Sequence, residues 1–266
     1  MKSRILPTQK TFLSTINWRL FGILLLLVAF GLISLIPYGL TLAGQKFSAA
    51  MIPELFMQFL VQIVLYSALI LGGMFLGQKV GLGAPILSNL TQGKGFNLEK
   101  KTSWLAVLSG LGAGFLMILF DVYIFVPRLQ SQIQALGDTV RPSAWQGFLA
   151  SFYGGIVEEV MTRFFLLTLL AWIGSKIFRS GEIRQSPVLM WVVVLISGLI
   201  FGLAHLPTAA ALGVQLTPLY IIRTLALNGA GILYGWLYLK RGLESAMLAH
   251  YSTDLVVHML GAILLA

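Results

Sequence analysis

The 266-residue chain contains no cysteine, and only 10% of its residues are charged. The absence of cysteine excludes disulfides and thiolate metal sites. Soluble domains carry about a quarter charged residues, so this composition excludes an ordinary soluble domain. Hydrophobic residues make up 58% of the chain, and the mean hydropathy is +0.89. The composition therefore predicts an all-α polytopic membrane protein.

Seven apolar segments are long enough to cross a bilayer as helices, which need roughly 20 residues. The predicted spans are 19–43, 55–77, 104–126, 146–173, 188–206, 218–239 and 244–265. All six tryptophans lie near the predicted ends of these spans, as expected for the aromatic belts of membrane proteins. The fold expected is a membrane helical bundle of about seven transmembrane helices.

Basic residues are unevenly distributed over the loops. Thirteen Lys and Arg residues lie before the first span, at its start, or around the loops after spans two, four and six, against three on the opposite side. This asymmetry predicts a cytoplasmic N-terminus, in a bacterial plasma membrane, and an external C-terminus. The net charge of +9 then indicates contact with anionic lipid headgroups, and nucleic acid is not expected as a partner.

The chain divides near residue 140. Residues 1–140 hold three predicted spans, in which Asp121 is the one notable polar residue at membrane depth, and residues 145–260 hold every cluster of polar side chains. The N-terminal part is therefore predicted to be a transmembrane region and the C-terminal part to carry the chemistry. Glycine pairs four residues apart, such as Gly73 and Gly77, are predicted to pack helices closely.

The first polar cluster is Glu158, Glu159 and Arg163, inside the fourth predicted span. Charged side chains at bilayer depth cost at least a few kcal/mol, so they indicate function by default. Glu159 and Arg163 have the spacing of a same-face ion pair. Glu158 lies about 100° around the helix, which leaves it available as a general base. The alternative is a structural network that joins helices.

Two further clusters contain histidine. His205 lies at the end of span five, and His250 and Asp254 lie four residues apart on the last span. His258 is one or two turns further along and is interpreted as structural or peripheral. By helical rise, Glu158 is expected near mid-membrane, His250 nearer the cytoplasm and His205 nearer the outside, so straight helices would hold them apart.

These side chains permit two kinds of site. Glu158, His205, His250 and Asp254 offer enough nitrogen and oxygen ligands for a divalent metal such as zinc with an open water position. The same four side chains can instead bind only water, with Glu158 as the base. No His-Glu-x-x-His motif occurs in the chain. That absence, with the lack of cysteine, favours the metal-free form.

The three motifs in order resemble those of the CPBP intramembrane proteases, which include the CAAX prenyl endopeptidases and the bacterial Abi and bacteriocin-processing relatives. The resemblance covers about residues 145–260. The residues that carry it are Glu158-Glu159-x-x-x-Arg163, Phe201-x-x-x-His205 and His250-x-x-x-Asp254. It implies hydrolysis of a peptide bond in a membrane-anchored protein or peptide, either by a metalloprotease or by a metal-free glutamate protease.

The resemblance also implies roles for individual residues. By motif position, Glu158 activates water, His205 helps to orient that water, and His250 and Asp254 stabilise the oxyanion. The neighbouring Glu159 and Arg163 would support these four. The prenyl endopeptidases carry Asn where this chain has Asp254, and an ionised carboxylate cannot donate a hydrogen bond. Asp254 would therefore be protonated, bind a metal, or orient the histidine.

Two other classes of protein remain open. A proton-coupled transporter would also bury Glu, His and Arg, and Arg223 would then belong to its pathway. The lack of an internal repeat and the clustering of the motifs in one half argue against it. A non-catalytic scaffold or immunity protein would be expected to have lost Glu158 or a histidine, and the chain retains them.

Overall fold

The structure is a computed structural model that describes residues 16–95, 100–129, 141–178 and 186–264. Within these ranges every regular element is helical, which confirms the all-α prediction. The helices are α1 Trp18–Leu42, α2 Ile52–Val80, α3 Pro85–Thr91, α4 Lys100–Phe120, α5 Ala144–Phe152, α6 Thr168–Ile177, α7 Pro187–Leu203, α8 Leu206–Ala211, α9 Pro218–Leu227, α10 Ala230–Arg241, α11 Leu243–Asp254 and α12 Gly261–Leu264.

Segments of π-helix and 3₁₀-helix connect several of these α-helices. Segments of π-helix cover Asp121–Phe125, Tyr153–Glu158, Val160–Leu167 and Leu255–Leu260, and 3₁₀ turns cover Ala49–Met51 and Val126–Arg128. Single π-turns inside α-helices occur frequently at functional sites. Here they make one continuous helical path from Ala144 to Ile177, which confirms that the predicted span 146–173 is helical.

Within the described ranges, five helical stretches are long and apolar enough to cross a membrane, as judged by length and composition. They are Trp18–Leu42, Ala49–Val80, Ser103–Arg128, Pro187–Ala211 and Leu243–Leu264. Each overlaps one of the predicted spans. The protein is therefore an integral membrane protein with a polytopic helical bundle.

The sixth predicted span, 218–239, is wrong as a single helix. It consists of α9 and α10, which are separated by a turn at Asn228 and Gly229. The Asn228 side chain donates a hydrogen bond to the Thr224 carbonyl oxygen over 2.9 Å, next to the backbone bond that ends the helix. Asn and Gly favour turns of this kind. With 10 and 12 residues, both helices are shorter than a bilayer-spanning helix.

The helical path around Glu158 lies at the centre of the bundle. Its inward side chains Val157, Val160, Phe164 and Leu167 are buried between α1, α2 and the C-terminal helices. A Cβ added to Gly73 of α2 would lie 2.6 Å from Phe164. The predicted packing role of that glycine is confirmed, because the two helices could not approach so closely with a larger residue.

A smaller second core lies at one end of α4. It is formed by Phe125, Leu129, Ala209, Val214 and Tyr220. This core fixes the segment from α8 to α9, which directly follows His205, against the end of the third membrane span. It therefore contributes to the position of one predicted site residue.

Candidate active site

Two helical segments bring three of the predicted site residues together. Glu158 ends the first π-segment of the central helix, and His250 and Asp254 lie on α11. The segments meet at Gly154, where an added Cβ would collide with the Asp254 carboxylate and lie 3.2 Å from His250 Nε2. A glycine at this position is what allows α11 to lie so close to the central helix.

Glu159 and Arg163 form a buried ion pair that supports the site. Glu159 Oε1 accepts hydrogen bonds from Arg163 Nη1 at 2.9 Å and from His250 Nδ1 at 2.8 Å, and the side chains of Glu159 and Arg163 are 0% exposed. Arg163 also donates to Thr162 Oγ1 at 2.5 Å and to the Gly231 carbonyl oxygen at 2.9 Å. The predicted ion pair is confirmed, and it also holds the histidine of the third motif.

This contact decides which nitrogen of His250 faces the site. A carboxylate only accepts hydrogen bonds, so Nδ1 carries the proton that is shared with Glu159. The other ring nitrogen, Nε2, lies 3.5 Å from Asp254 Oδ1 and 3.8 Å from Glu158 Oε2. These separations exceed a direct hydrogen bond and suit a bridging water. Glu158 and Asp254 retain side-chain exposures of 19% and 12%.

Two aromatic rings fix the plane of the His250 imidazole. Tyr234 stacks on it with ring centroids 4.4 Å apart, and Phe201 meets it edge-on at 5.6 Å. The guanidinium of Arg163 lies 4.6 Å from the Phe201 ring and 5.2 Å from the Tyr234 ring, within the range of cation–π attraction. The sequence analysis did not identify Tyr234 as a site residue. The only feature that could have indicated it is its position, three residues after Gly231 on the helix that faces the site.

His205 lies at the edge of the site. It follows the end of α7, and its Nδ1 lies 2.8 Å from the Phe201 carbonyl oxygen. Because a carbonyl only accepts, Nδ1 is the donor and Nε2 is left as the other polar atom of the ring. The Phe201 ring contacts the imidazoles of both His205 and His250. Within the described part of the chain, His205 makes no direct hydrogen bond to Glu158, His250 or Asp254.

Glu158 and His250 are not held apart by membrane depth, as straight, full-length helices would hold them. The π-segments change the rise of the central helix around Glu158, and α11 starts beside Gly83, whose carbonyl oxygen accepts from the Leu243 amide at 3.0 Å. Both features shift the register from that of straight, full-length helices. The fifth span also differs from the prediction, because α7 ends at Leu203 and a turn precedes α8.

Two other polar residues singled out by the sequence have partners outside the site. His258 Nδ1 lies 3.1 Å from the Tyr38 hydroxyl of α1, which agrees with a peripheral, structural histidine. Arg223 forms a two-point ion pair with Asp121, with nitrogen–oxygen distances of 2.7 and 2.6 Å. This pair ties α9 to the third span beside the second core, a link that no sequence pattern indicated.

The predicted metal ligands are only partly brought together. Among the described residues, no group of three His, Asp or Glu side chains has an arrangement that holds a metal ion. His250 shares its Nδ1–H with Glu159, which leaves Nε2 as the ring atom that faces Glu158 and Asp254. The metal-free form stays a prediction, and the chemistry considered below uses only the groups of the four side chains.

The fold and the site define a polytopic helical membrane protein with a buried acid–base cluster. Residues 140–256 match the family model described as type II CAAX prenyl endopeptidase, Rce1-like. This match confirms the resemblance to the CPBP proteases that the three motifs carry. Searches of curated proteins and of solved structures gave no significant match.

Proposed function

We propose that the protein is an intramembrane endopeptidase in which Glu158 activates a water molecule for attack on a peptide bond. The observation that carries the proposal is the 3.8 Å gap between Glu158 Oε2 and His250 Nε2, which is wide enough for a water hydrogen bonded to both. The family match supports a peptide hydrolase. The half-buried carboxylate supplies the base.

The reaction follows the usual course of acid–base hydrolysis. Glu158 removes a proton from the water, and the water oxygen bonds to the carbonyl carbon of the peptide. The tetrahedral oxyanion collapses, the carbon–nitrogen bond breaks, and Glu158 returns the proton to the leaving nitrogen. The products are one carboxyl group and one amine, so atoms and protons balance.

His250 is proposed to stabilise the oxyanion. Its Nδ1–H is held by Glu159, so Nε2 donates only when the ring carries a second proton. Glu158, Glu159 and Asp254 all lie within 3.8 Å of the ring nitrogens, and their negative charge stabilises the doubly protonated ring by Coulomb attraction. A donor that is already in place when charge develops contributes strongly to catalysis.

Asp254 is proposed to orient and charge His250, not to donate to the oxyanion itself. Its Oδ1 faces Nε2 of that ring at 3.5 Å, and its carboxylate lies against the Gly154 backbone. His205 is proposed to act from beside the Phe201 ring, with Nε2 oriented towards the water or the substrate. Of the four proposed site residues, His205 is thus the one that lies at the edge of the site.

The substrate class proposed is a membrane-anchored protein or peptide within the bilayer. A cytoplasmic N-terminus and a bacterial plasma membrane are proposed from the distribution of basic residues. The site is formed from membrane-spanning helices, so its substrate must reach it through lipid or from the membrane surface.

Purified protein in liposomes tests the proposal when it is mixed with membrane-anchored peptides of varied sequence. We expect new peptide ends detected by mass spectrometry, their loss in His250→Ala, and their retention in His258→Ala, which alters a histidine outside the site. Proton flux across the liposome membrane without cleavage of any peptide would instead support the transporter. Cleavage that persists in His250→Ala would contradict the site.

A further inference from the structure

A cleft of about 680 Å³ lies between α1 and α2. It extends towards the end of the bundle where α1 ends and α2 begins, and the side chains of Leu32, Leu35 and Ile36 form part of its α1 wall. Tyr153, from the central helix, also lines the cleft. The cleft therefore runs from the surface of the bundle towards the middle of the membrane span.

The α2 wall of the cleft carries a row of polar side chains. Glu54, Gln58 and Gln62 follow one another at one residue per turn, and Gln58 Nε2 donates to Glu54 Oε1 at 3.0 Å. Tyr66 occupies the next turn inward and is buried. Lipid chains cannot satisfy such groups, and unsatisfied polar groups in hydrocarbon cost several kcal/mol. A polar occupant therefore fits this row better than lipid does.

The inner end of the cleft adjoins the proposed catalytic residues. Tyr153 begins the π-segment that ends at Glu158, and its neighbour Gly154 lies against Asp254 and His250. An occupant of the cleft would consequently lead into the catalytic gap.

We infer that the cleft binds one extended segment of a membrane peptide substrate, whose backbone hydrogen bonds to Gln58 and Gln62 and whose basic side chain pairs with Glu54. This inference rests on the proposed function. A peptide must be extended to be cut, and its exposed backbone groups then need partners within the bilayer. Carboxamides supply both donors and acceptors. Within the described residues, Glu54 forms no ion pair, so its carboxylate is available for a cation.

The geometry also predicts where the basic residue lies in the substrate. Twelve residues separate Glu54 from Tyr66, or about 18 Å along α2 at 1.5 Å per residue. An extended chain covers about 3.3 Å per residue. Tyr66 lies before the catalytic gap, so a Lys or Arg is expected at least about five to six residues from the cleaved bond.

Substitutions on α2 test the inference through the kinetics. Gln58→Leu and Gln62→Leu should each raise KM by about twofold to tenfold with little change in kcat, which is the range expected for a lost hydrogen bond. Gln78→Leu, at the exposed other end of the same helix, should change neither constant. Glu54→Lys should reverse the preference from a basic to an acidic residue. A fall in kcat with unchanged KM would show that the cleft supplies water, which would overturn the inference.

A binding assay separates this inference from the proposed function. Single cysteines can be placed at Val61, which lines the cleft, or at Val64, which is 71% exposed on the same helix, in a Glu158→Gln background. A peptide with a bromoacetyl group should label position 61 faster than position 64. Equal labelling would contradict the cleft. Selective labelling at position 61, together with no cleavage of any peptide by the protein that retains Glu158, would support the cleft and contradict the hydrolase.

Discussion

The buried Arg163 offers a quantitative test of how the site is held together. In Arg163→Met the side-chain stem remains, but Glu159 loses its permanently charged partner and keeps only His250, and the Thr162 hydroxyl and the Gly231 carbonyl oxygen each lose a hydrogen bond. Removing one partner of a fully buried pair costs about 3–5 kcal/mol, because the other charge stays buried. At about 2–4 °C per kcal/mol, the melting temperature should fall by roughly 6–20 °C.

A second substitution tests whether the loss of stability comes from the unpaired charge of Glu159, which stays buried. Glu159→Gln combined with Arg163→Met removes both charges and leaves an oxygen that accepts from His250 Nδ1. The double variant should regain about 1–3 kcal/mol of the free energy of unfolding relative to Arg163→Met, as expected for residues in direct contact. The measurement is thermal unfolding of purified protein in detergent.

Arg223→Met serves as the matched control. Its pair with Asp121 is 21% and 24% exposed, so the charge left behind is partly hydrated, and loss of the pair should cost less than the loss of the fully buried Arg163. The reasoning would be refuted if the Arg163 and Arg223 variants lost equal stability. It would also be refuted if the double variant were no more stable than Arg163→Met.

Three other perturbations follow from the structure and the sequence. Gly154→Ala should abolish cleavage, because the added Cβ displaces the Asp254 carboxylate that orients His250, whereas Gly22→Ala has open space at its Cβ and should be neutral; full activity in the first variant would contradict the contact. Single cysteines introduced into the loop 127–144 should react with an impermeant reagent in intact cells, and those in the loop 78–103 should not; the reverse pattern would overturn the orientation. Elemental analysis of active protein should show no stoichiometric zinc, and chelators should leave cleavage unchanged; zinc that disappears together with activity in His205→Ala would defeat the metal-free mechanism.

Local spacing predicted the parts of the site that lie on single helices. Glu159 and Arg163 form the ion pair expected four residues apart, and His250 and Asp254 approach each other at the same spacing. These predictions succeed because helical geometry alone decides which side chains share a face. The charge of Glu159 and Arg163 inside an apolar segment made the cluster visible without structural information.

Contacts between helices could not be predicted in the same way. Asp121 and Arg223 are 102 positions apart, and no periodicity relates them. Tyr234 is an ordinary aromatic residue in an apolar helix until its ring is seen to stack on His250. Partners of this kind depend on the register between helices, which a single sequence does not contain.

Errors in the predicted spans have a related cause. The apolar run 218–239 has the average hydropathy of a single span, but Asn228 and Gly229 divide it locally into two helices. The depths expected for Glu158, His250 and His205 in the membrane assume a constant rise of 1.5 Å per residue. The π-segments between Tyr153 and Leu167 depart from that rise. Averaged properties therefore predicted the fold class but not these local interruptions.

The central claim is that Glu158 activates the water, and the cleavage kinetics of Glu158→Gln test it most directly. The amide has nearly the same shape as the carboxylate but cannot accept the proton, so kcat should fall by about 10²- to 10⁴-fold. KM and the melting temperature should remain close to wild type, because Glu158 is 19% exposed and outside the buried Glu159–Arg163 pair. Cleavage by Glu158→Gln at the wild-type rate would contradict the mechanism.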